Sequence, residues 1–209
     1  MTERKFDVLA GNGISVRFRV GLVLESLFFG SWFRRINIQS ISSDRLSSSV
    51  PASVYSEYAL QHSDRMRIVA VADPDEARRH QAAGRFDIPS QHCFESAEVF
   101  SQQPKMADAV INGTMDTLHV PTSLPLIEAG YHVLLEKPIA RSQAELDTLV
   151  GATQKTDQIL MICHNLRHAP FYVGVKSAIA QGKIGRIMAI HTSENVGYDH
   201  MGESFVRGK

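Results

Sequence analysis

From Arg67 onward, short apolar runs of strand length alternate with amphipathic segments of helix length. The predicted strands are Arg67–Ala72, Ala107–Asn112, Tyr131–Leu135, Gln158–Cys163 and Arg186–Thr192. The predicted helices are Pro74–Gly84, Val120–Gly130, Ser142–Thr156 and Pro170–Gly182, and the third begins with the capping pattern of Ser142 followed by Glu145. Strands and helices that alternate in this way form βαβ units. The pattern therefore predicts an α/β fold with a doubly wound parallel sheet, covered by helices on both faces.

The chain ahead of Arg67 follows a different pattern. The run Val16–Val23 (VRFRVGLV) has strand character, and we predict that it forms the first strand of the sheet. Residues Leu24–Ser56 then interrupt the alternation, and their second half, ISSDRLSSSVPASVYS, is rich in serine. Such a segment buries too little apolar surface to offset the entropy lost on ordering. We therefore predict that residues 24–56 are an atypical, disordered insert.

Composition and charge argue against a nucleic-acid or membrane role. The 209 residues are 44% hydrophobic and carry 22 basic and 22 acidic side chains, without the excess of cations that nucleic acids or anionic membranes attract. The apolar run Val20–Phe33 contains Glu25 and is shorter than the roughly 20 residues that a membrane helix needs.

Cys93 and Cys163 are too far apart in the chain for a disulfide framework. We therefore predict a cytoplasmic protein.

Asp73 directly follows the apolar run RIVAVA, at the position where parallel sheets bind their ligands. A carboxylate at the end of the second strand can accept hydrogen bonds from the ribose hydroxyls of a dinucleotide, and its charge repels a 2′-phosphate. This interpretation predicts NAD(P) binding, with NAD favoured. A second interpretation is structural, because Asp73 precedes Pro74 and further acidic residues, as the N-cap of a helix does. The two roles are compatible.

Two further polar segments follow predicted strands. In Asn112–His119 (NGTMDTLH), the Gly, Thr, Asp and His residues after a strand can place main-chain N–H groups and a hydroxyl against a ligand, although an ordinary turn capped near Thr117 explains the same residues. In the triplet Glu136-Lys137-Pro138, the proline restricts the lysine to extended geometry. Lys137 can then neutralise a substrate oxygen during proton transfer while Glu136 holds its ammonium group. The alternative is a solvated surface pair.

A third polar cluster follows the predicted strand QILMIC. It contains Arg167 between His164 and His168, and this arginine can face a cofactor or a substrate. The alternative is a loop whose polar residues only hydrogen-bond one another. The two histidines lack a third ligand nearby, and His200 and Glu203 are only weak candidates for metal or acid–base chemistry. We therefore predict no metal site.

Taken together, three runs of the chain resemble one known family. The runs VAVADPDEAR, AVINGTMDTLHVPTSLPLIEAGYHVLLEKPIA and HNLRHAPFY resemble, in that order and spacing, the glucose–fructose oxidoreductase and inositol dehydrogenase family (Gfo/Idh/MocA). The triplet Glu-Lys-Pro after a strand is the most specific element. A methyltransferase on the same type of sheet also places an acidic residue after its second strand, but it gives no reason for this triplet.

The resemblance implies a Rossmann domain that binds NAD(P), followed by a second α/β domain for the substrate and for homo-oligomer contacts. The reaction it implies is NAD(P)-dependent oxidoreduction of a sugar, inositol or related polyol. The implied roles are ribose binding by Asp73, cofactor-loop contacts by Thr114 and His119, a catalytic and nicotinamide-side role for Lys137 beside Glu136 and Pro138, and a place near the cofactor for Arg167.

The sequence departs from the family pattern in two places. No glycine-rich turn follows the predicted first strand, because Gly21 comes too early and Gly30 too late. The chain also ends at Lys209, soon after the predicted strand 186–192. We therefore expect a Rossmann domain over residues 1–168, a linking helix and a truncated start of the substrate domain over 169–209, and impaired activity. The alternative is a non-catalytic nucleotide-binding remnant or regulatory protein of the same family.

Overall fold

The computed structural model describes residues 6–9, 15–18, 36–42 and 51–195, with side chains described from Tyr55 onward. The chain divides into two compact units. The first comprises residues 1–44 and 48–162, and the second comprises residues 45–47 and 163–209. The assignment of the second unit to a separate substrate domain stays a prediction.

The first unit is built around a six-stranded parallel sheet. Its strands are β3 (Ile36–Ser42), β4 (Met66–Ala72), β5 (Cys93–Phe94), β6 (Ala109–Gly113), β7 (His132–Leu135) and β8 (Leu160–Ile162). Its helices are α1 (Pro51–Gln61), α2 (Glu76–Phe86), α3 (Ala97–Ser101), α4 (His119–Glu128) and α5 (Gln143–Gln154). The strand order is β5-β4-β3-β6-β7-β8, which is the order of dinucleotide-binding sheets. The predicted fold class is confirmed.

The first strand of this sheet is not the one that the sequence predicted. Within Val16–Val23 the structure describes a strand only as part of β2 (Ser15–Phe18), which pairs antiparallel with β1 (Phe6–Leu9) in a separate two-stranded sheet. The central strand of the parallel sheet is β3, which lies inside the segment predicted to be disordered. That prediction is wrong for β3 and for the part of α1 within 24–56, and the other residues of the segment lie outside the described part.

The reason for this error is visible in the register of β3. Its pairing with β4 shifts between Ile38 and Gln39, so the strand carries a bulge. A bulge breaks the period-two alternation of apolar and polar residues by which a strand is recognised. The serines around the strand then dominate the pattern.

Two apolar clusters form the core. The larger one includes the rings of Phe94, Phe100 and Tyr131, which are tilted against one another, with centroid distances of 5.5 Å from Phe94 to Phe100 and 5.1 Å from Phe100 to Tyr131. The smaller one joins residues of β4 and β6 to α1 and α2, and includes Ile68 and Ile111. Both faces of a doubly wound parallel sheet must be covered by helices, and two separate apolar clusters agree with this requirement. None of the described helices is long and apolar enough to cross a membrane.

The helix caps agree with the sequence analysis in one case and differ in two. Ser142 caps α5 by accepting the N–H of Glu145 at 3.2 Å, as predicted. The N-cap of α2 is Asp75, not Asp73, and its bond to the main-chain N–H of Arg78 holds the pKa of the Asp75 carboxyl below its ordinary value. No side chain caps α4, which continues from a short 3₁₀ turn, so the cap predicted near Thr117 is not formed.

The described part of the second unit contains a 3₁₀ turn, Asn165–His168, and helix α6 (Pro170–Ala180). The strand predicted at Arg186–Thr192 is not formed, because these residues have no regular secondary structure. A strand needs a neighbouring strand to bond its N–H and C=O groups. Within the described residues no strand is paired with this segment.

His132, at the start of β7, gives the first unit a testable pH dependence. Its Nδ1 accepts the N–H of Ile159 at 3.0 Å, so the ring must be neutral at that nitrogen. Burial lowers the pKa of His132 below its ordinary value of 6.5, Lys105 lowers this pKa further, and Asp108 partly opposes the shift. Because the unfolded chain then binds more protons, the contribution of His132 to stability is complete above about pH 6.5 and is lost as the pH falls below it.

We expect the urea midpoint of unfolding to fall more between pH 7.5 and pH 5.5 in the unmodified chain than in His132→Asn. The asparagine can still accept from Ile159 but does not titrate, and the other histidines are common to both proteins. Parallel pH profiles for the two proteins would contradict this assignment.

Candidate functional site

The register of the sheet places three predicted site segments at the same edge. The pairing sets Ala72, Ile41, Asn112 and Leu135 on one level across β4, β3, β6 and β7. The residues that follow them in the chain are Asp73, Ser42, Gly113 and Glu136. These residues therefore form a row at the carboxyl ends of neighbouring parallel strands, where ligands of open α/β sheets bind.

Asp73 is buried at this edge, with 3% of its surface exposed, and is paired with Arg78. The guanidinium donates from Nε to Oδ2 at 2.9 Å and from Nη2 to Oδ1 at 2.6 Å, and the N–H of Asp75 donates to Oδ1 at 2.8 Å. Arg79 donates to the main-chain oxygen of Asp73 at 2.6 Å. The charge of this carboxylate is thus offset by a bidentate partner. The ribose-binding role of Asp73 stays a prediction.

A buried asparagine fixes the turn that follows β6. Asn112 is fully buried, and its Nδ2 donates to the hydroxyls of Thr122 and Ser123, both at 2.9 Å. Its Oδ1 accepts the N–H of Thr114 at 3.2 Å and the hydroxyl of Thr114 at 2.9 Å. The sequence analysis included Asn112 in a polar loop but gave it no role. An amide at the end of an apolar strand was the available signal, because such a group must find partners when it is buried.

His119 links this turn to the one after β7. The residue is 1% exposed, and its Nδ1 lies 2.6 Å from the carbonyl oxygen of Pro138. Its Nε2 lies 2.9 Å from the carbonyl oxygen of Thr114. Both ring nitrogens therefore face main-chain oxygens of the protein itself. The cofactor-loop role of His119 stays a prediction, and this geometry supports an indirect form of it.

The turn Glu136-Lys137-Pro138 is held by its glutamate. Glu136 is buried, and its Oε1 accepts the hydroxyl of Tyr55 at 2.7 Å while its Oε2 accepts the main-chain N–H of Lys137 at 2.8 Å. The interpretation that Glu136 holds the lysine ammonium is therefore replaced by a bond to the lysine main chain. The Lys137 side chain is exposed, and within the described residues its ammonium group has no hydrogen-bond or ion-pair partner. The peptide bond before Pro138 is cis.

Tyr55 is a residue of this site that the sequence analysis missed. It lies on α1, in the segment that was predicted to be disordered, and a disordered residue offers no fixed partner for Glu136. The bond joins the helix that follows β3 to the turn that follows β7. No local signal identified this contact, because the two residues are 81 positions apart in the chain.

The remaining predicted residues lie outside the first unit. Arg167 is in the second unit, in the turn Asn165–His168, where its side chain is exposed, and its role near a cofactor stays a prediction. Among the residues that the structure describes, no three histidine, cysteine, aspartate or glutamate side chains are grouped closely enough to hold a metal ion. His200 and Glu203 lie outside the described part.

Comparison with known proteins was decisive for the family. The family model Gfo/Idh/MocA, described as an oxidoreductase family with an NAD-binding Rossmann fold, matches residues 49–164, which is more than half of the chain. The chain belongs to this family. The match begins just ahead of α1 and ends two residues beyond β8, so it contains the whole row of site segments apart from β3.

The chain is similar to several named enzymes and solved structures. The chain is 39% identical to a 1,5-anhydro-D-fructose reductase of Ensifer adhaerens over 82 residues, which are 39% of the chain and 25% of the reductase. It is 30% identical to an inositol 2-dehydrogenase of Saccharopolyspora erythraea over 139 residues, which are 63% of the chain and 39% of that enzyme.

Among solved structures, the WlbA dehydrogenase from Bordetella pertussis, in complex with NADH and UDP-GlcNAcA, superposes with a TM-score of 0.64 at 25% identity. The superposition covers 74% of the chain and 44% of the dehydrogenase. The chain thus matches less than half the length of each of these relatives.

The bond between Tyr55 and Glu136 predicts a specific loss of stability. In Tyr55→Phe the buried carboxylate loses one donor, and a hydrogen bond to a charged group contributes about 1.5–3 kcal/mol. We expect a loss of this size in the free energy of unfolding, measured by urea denaturation. The matched control is Tyr58→Phe on the same helix, whose hydroxyl makes a longer contact, 3.2 Å, with Arg65. Equal losses in the two variants would contradict the special role of Tyr55.

Proposed function

We propose that this family member binds NAD(P) at the carboxyl edge of its sheet and takes part in hydride transfer on a sugar, an inositol or a related polyol. The observation that carries the proposal is the row formed by Asp73, the turn at Thr114 and the turn at Lys137 at one edge of a sheet with dinucleotide-binding strand order. A nicotinamide cofactor, when bound, supplies the group that accepts or donates the hydride.

The residues at this edge fit such a cofactor at both of its ends. Asp73 takes part in three described hydrogen bonds, and a carboxylate has about four lone-pair positions, so one can still accept a ribose hydroxyl. At the other end of the row, Lys137 presents an ammonium group with no partner among the described residues. The chemistry of these groups suits a diol at one end and an oxygen that gains or loses a proton at the other.

Lys137 is the group to which we assign the proton of the substrate hydroxyl. An ammonium group beside the reacting oxygen can donate a proton or, after losing one, accept it. Glu136 contributes indirectly, since its bond to the N–H of Lys137 fixes the backbone from which the lysine side chain extends. The bond from Tyr55 fixes Glu136 in turn.

The substrate class rests on the relatives, whose names specify an anhydrofructose and an inositol. Because the chain spans less than half of their length, the activity of the whole protein is part of the proposal. The proposal also includes three further properties of the whole protein. These are assembly into homo-oligomers, location in the cytoplasm, and the absence of nucleic-acid and membrane partners.

A second candidate function is nucleotide binding with impaired turnover or none. The observation that favours it is the sequence after β3, where residues 43–50 read SDRLSSSV and contain no glycine. In dinucleotide-binding folds, glycines at this turn allow the backbone to approach the pyrophosphate. Side chains at these positions are expected to weaken binding of the phosphates.

The variant Lys137→Ala separates the two candidates. If Lys137 moves the hydroxyl proton, NAD reduction across a panel of hexoses and inositols should fall by at least about 100-fold, while NADH binding, measured by fluorescence, should change little. The matched control is Lys155→Ala, which removes an exposed lysine after α5. NADH binding without turnover in the unmodified chain would favour the second candidate, and turnover unaffected by Lys137→Ala would remove Lys137 from the mechanism.

The pairing of Asp73 with Arg78 predicts a modest preference for NADH. The carboxylate disfavours a 2′-phosphate, but the bidentate guanidinium offsets its charge. We expect NADH to bind more tightly than NADPH, and Arg78→Leu to widen this difference by about tenfold, at 1.4 kcal/mol per factor of ten.

Fluorescence titrations with both nucleotides test this prediction. The control is Arg85→Leu, which removes another arginine of α2 that pairs with Glu57 at 2.6 Å. Tighter binding of NADPH by the unmodified chain would contradict the ribose assignment. An unchanged preference in Arg78→Leu would contradict the offset of charge.

A further inference from the structure

The ring of His119 contacts two different turns of the site at once. The carbonyl oxygens that the ring faces belong to Thr114, after β6, and to Pro138, after β7. These are the turns on either side of the pairing between β6 and β7. His119 is therefore a side-chain link between the turn predicted to contact the cofactor and the turn that presents Lys137.

Other groups hold the donors of these two turns. Asn112 accepts the N–H and the hydroxyl of Thr114, and Glu136 accepts the N–H of Lys137. His119 faces their acceptors, the two carbonyl oxygens, and a ring nitrogen that carries a proton donates to the oxygen it faces. The ring is 1% exposed, so water does not compete for these positions. A buried carbonyl without a donor costs free energy, and the turns are therefore expected to loosen when the ring is removed.

We propose that His119 is a positioning residue that couples these two turns, with Nε2 against the carbonyl oxygen of the Thr114 turn and Nδ1 against that of the Lys137–Pro138 turn. The inference rests on the proposed function in that it assigns nucleotide binding to the first turn and proton transfer to the second. The coupling itself is a property of the protein without any ligand, and it can be tested separately.

Three substitutions separate the two contacts. The amide nitrogen of an asparagine at position 119 reaches roughly the place of Nδ1, and that of a glutamine reaches roughly the place of Nε2. His119→Asn thus retains a donor for Pro138, and His119→Gln retains one for Thr114. His119→Phe keeps roughly the volume of the ring and removes both ring nitrogens.

The first measurement is hydrogen–deuterium exchange on the full chain without nucleotide. We expect main-chain exchange to become about tenfold faster for residues 136–140 alone in His119→Gln, for residues 113–118 alone in His119→Asn, and for both segments in His119→Phe. A general loss of stability would accelerate exchange throughout the sheet instead. The same change in both segments for the asparagine and glutamine variants would overturn the proposal.

The second measurement compares NADH affinity with turnover at saturating cofactor. His119→Gln should bind NADH within about threefold of the unmodified chain but lose at least tenfold in kcat, whereas His119→Asn should lose about tenfold in NADH affinity and keep its kcat. Urea midpoints of the two variants, compared with each other, control for stability. Selective exchange changes without NADH binding in any of the proteins would support the coupling and refute the proposed function. Normal NADH binding and turnover in all three variants would refute the proposed division of roles.

Discussion

The pairing of β3 with both β4 and β6 is the interaction on which the rest of the structure depends. It joins the two halves of the parallel sheet and sets Ala72 level with Asn112 through their common partner Ile41. Without this strand, Asp73 and the turn at Thr114 would belong to separate pieces of sheet. The helix that follows β3 then supplies the hydroxyl that holds Glu136, which follows β7, two strands away from β3 in the sheet. A segment that contributes no predicted site residue thus helps to position the predicted site residues of the first unit.

The sequence predicted the part of the fold that repeats and failed where the repeat is broken. Strands β4, β6, β7 and β8 and helices α2, α4 and α5 follow from apolar runs of the expected length and from caps such as Ser142, whereas the short elements β5 and α3 were not predicted. The central strand was missed because its bulge between Ile38 and Gln39 removes the alternation and serines surround it. The strand expected at 186–192 failed for the opposite reason: its residues have strand character, but a strand forms only beside a partner.

For the site, the sequence predicted positions better than contacts. Residues that follow a strand in a parallel sheet must come to its carboxyl edge, so the places of Asp73, Thr114 and Lys137 follow from the order of the elements alone. The partners of these residues depend on side-chain packing between elements far apart in the chain. The errors concern these partners. Asp73 was predicted to cap a helix and Glu136 to pair with the Lys137 ammonium group, and the contact of Tyr55 was not predicted at all.

The contacts divide the site into fixed and free groups, and this division follows from burial. Asn112, His119 and Glu136 are buried, so each polar atom left without a partner would cost free energy, and their bonds hold the backbone of two turns. Lys137 is exposed, and its ammonium group is solvated without such a cost. A backbone held in this way, carrying an ammonium group that has no partner among the described residues, suits the proton transfer proposed for Lys137, because the turn limits where the side chain can reach. Residues 43–50, which follow β3 in the sequence, contain none of the glycines that let a backbone approach a pyrophosphate, so the chain is better suited to the cofactor at its lysine end than at the phosphates.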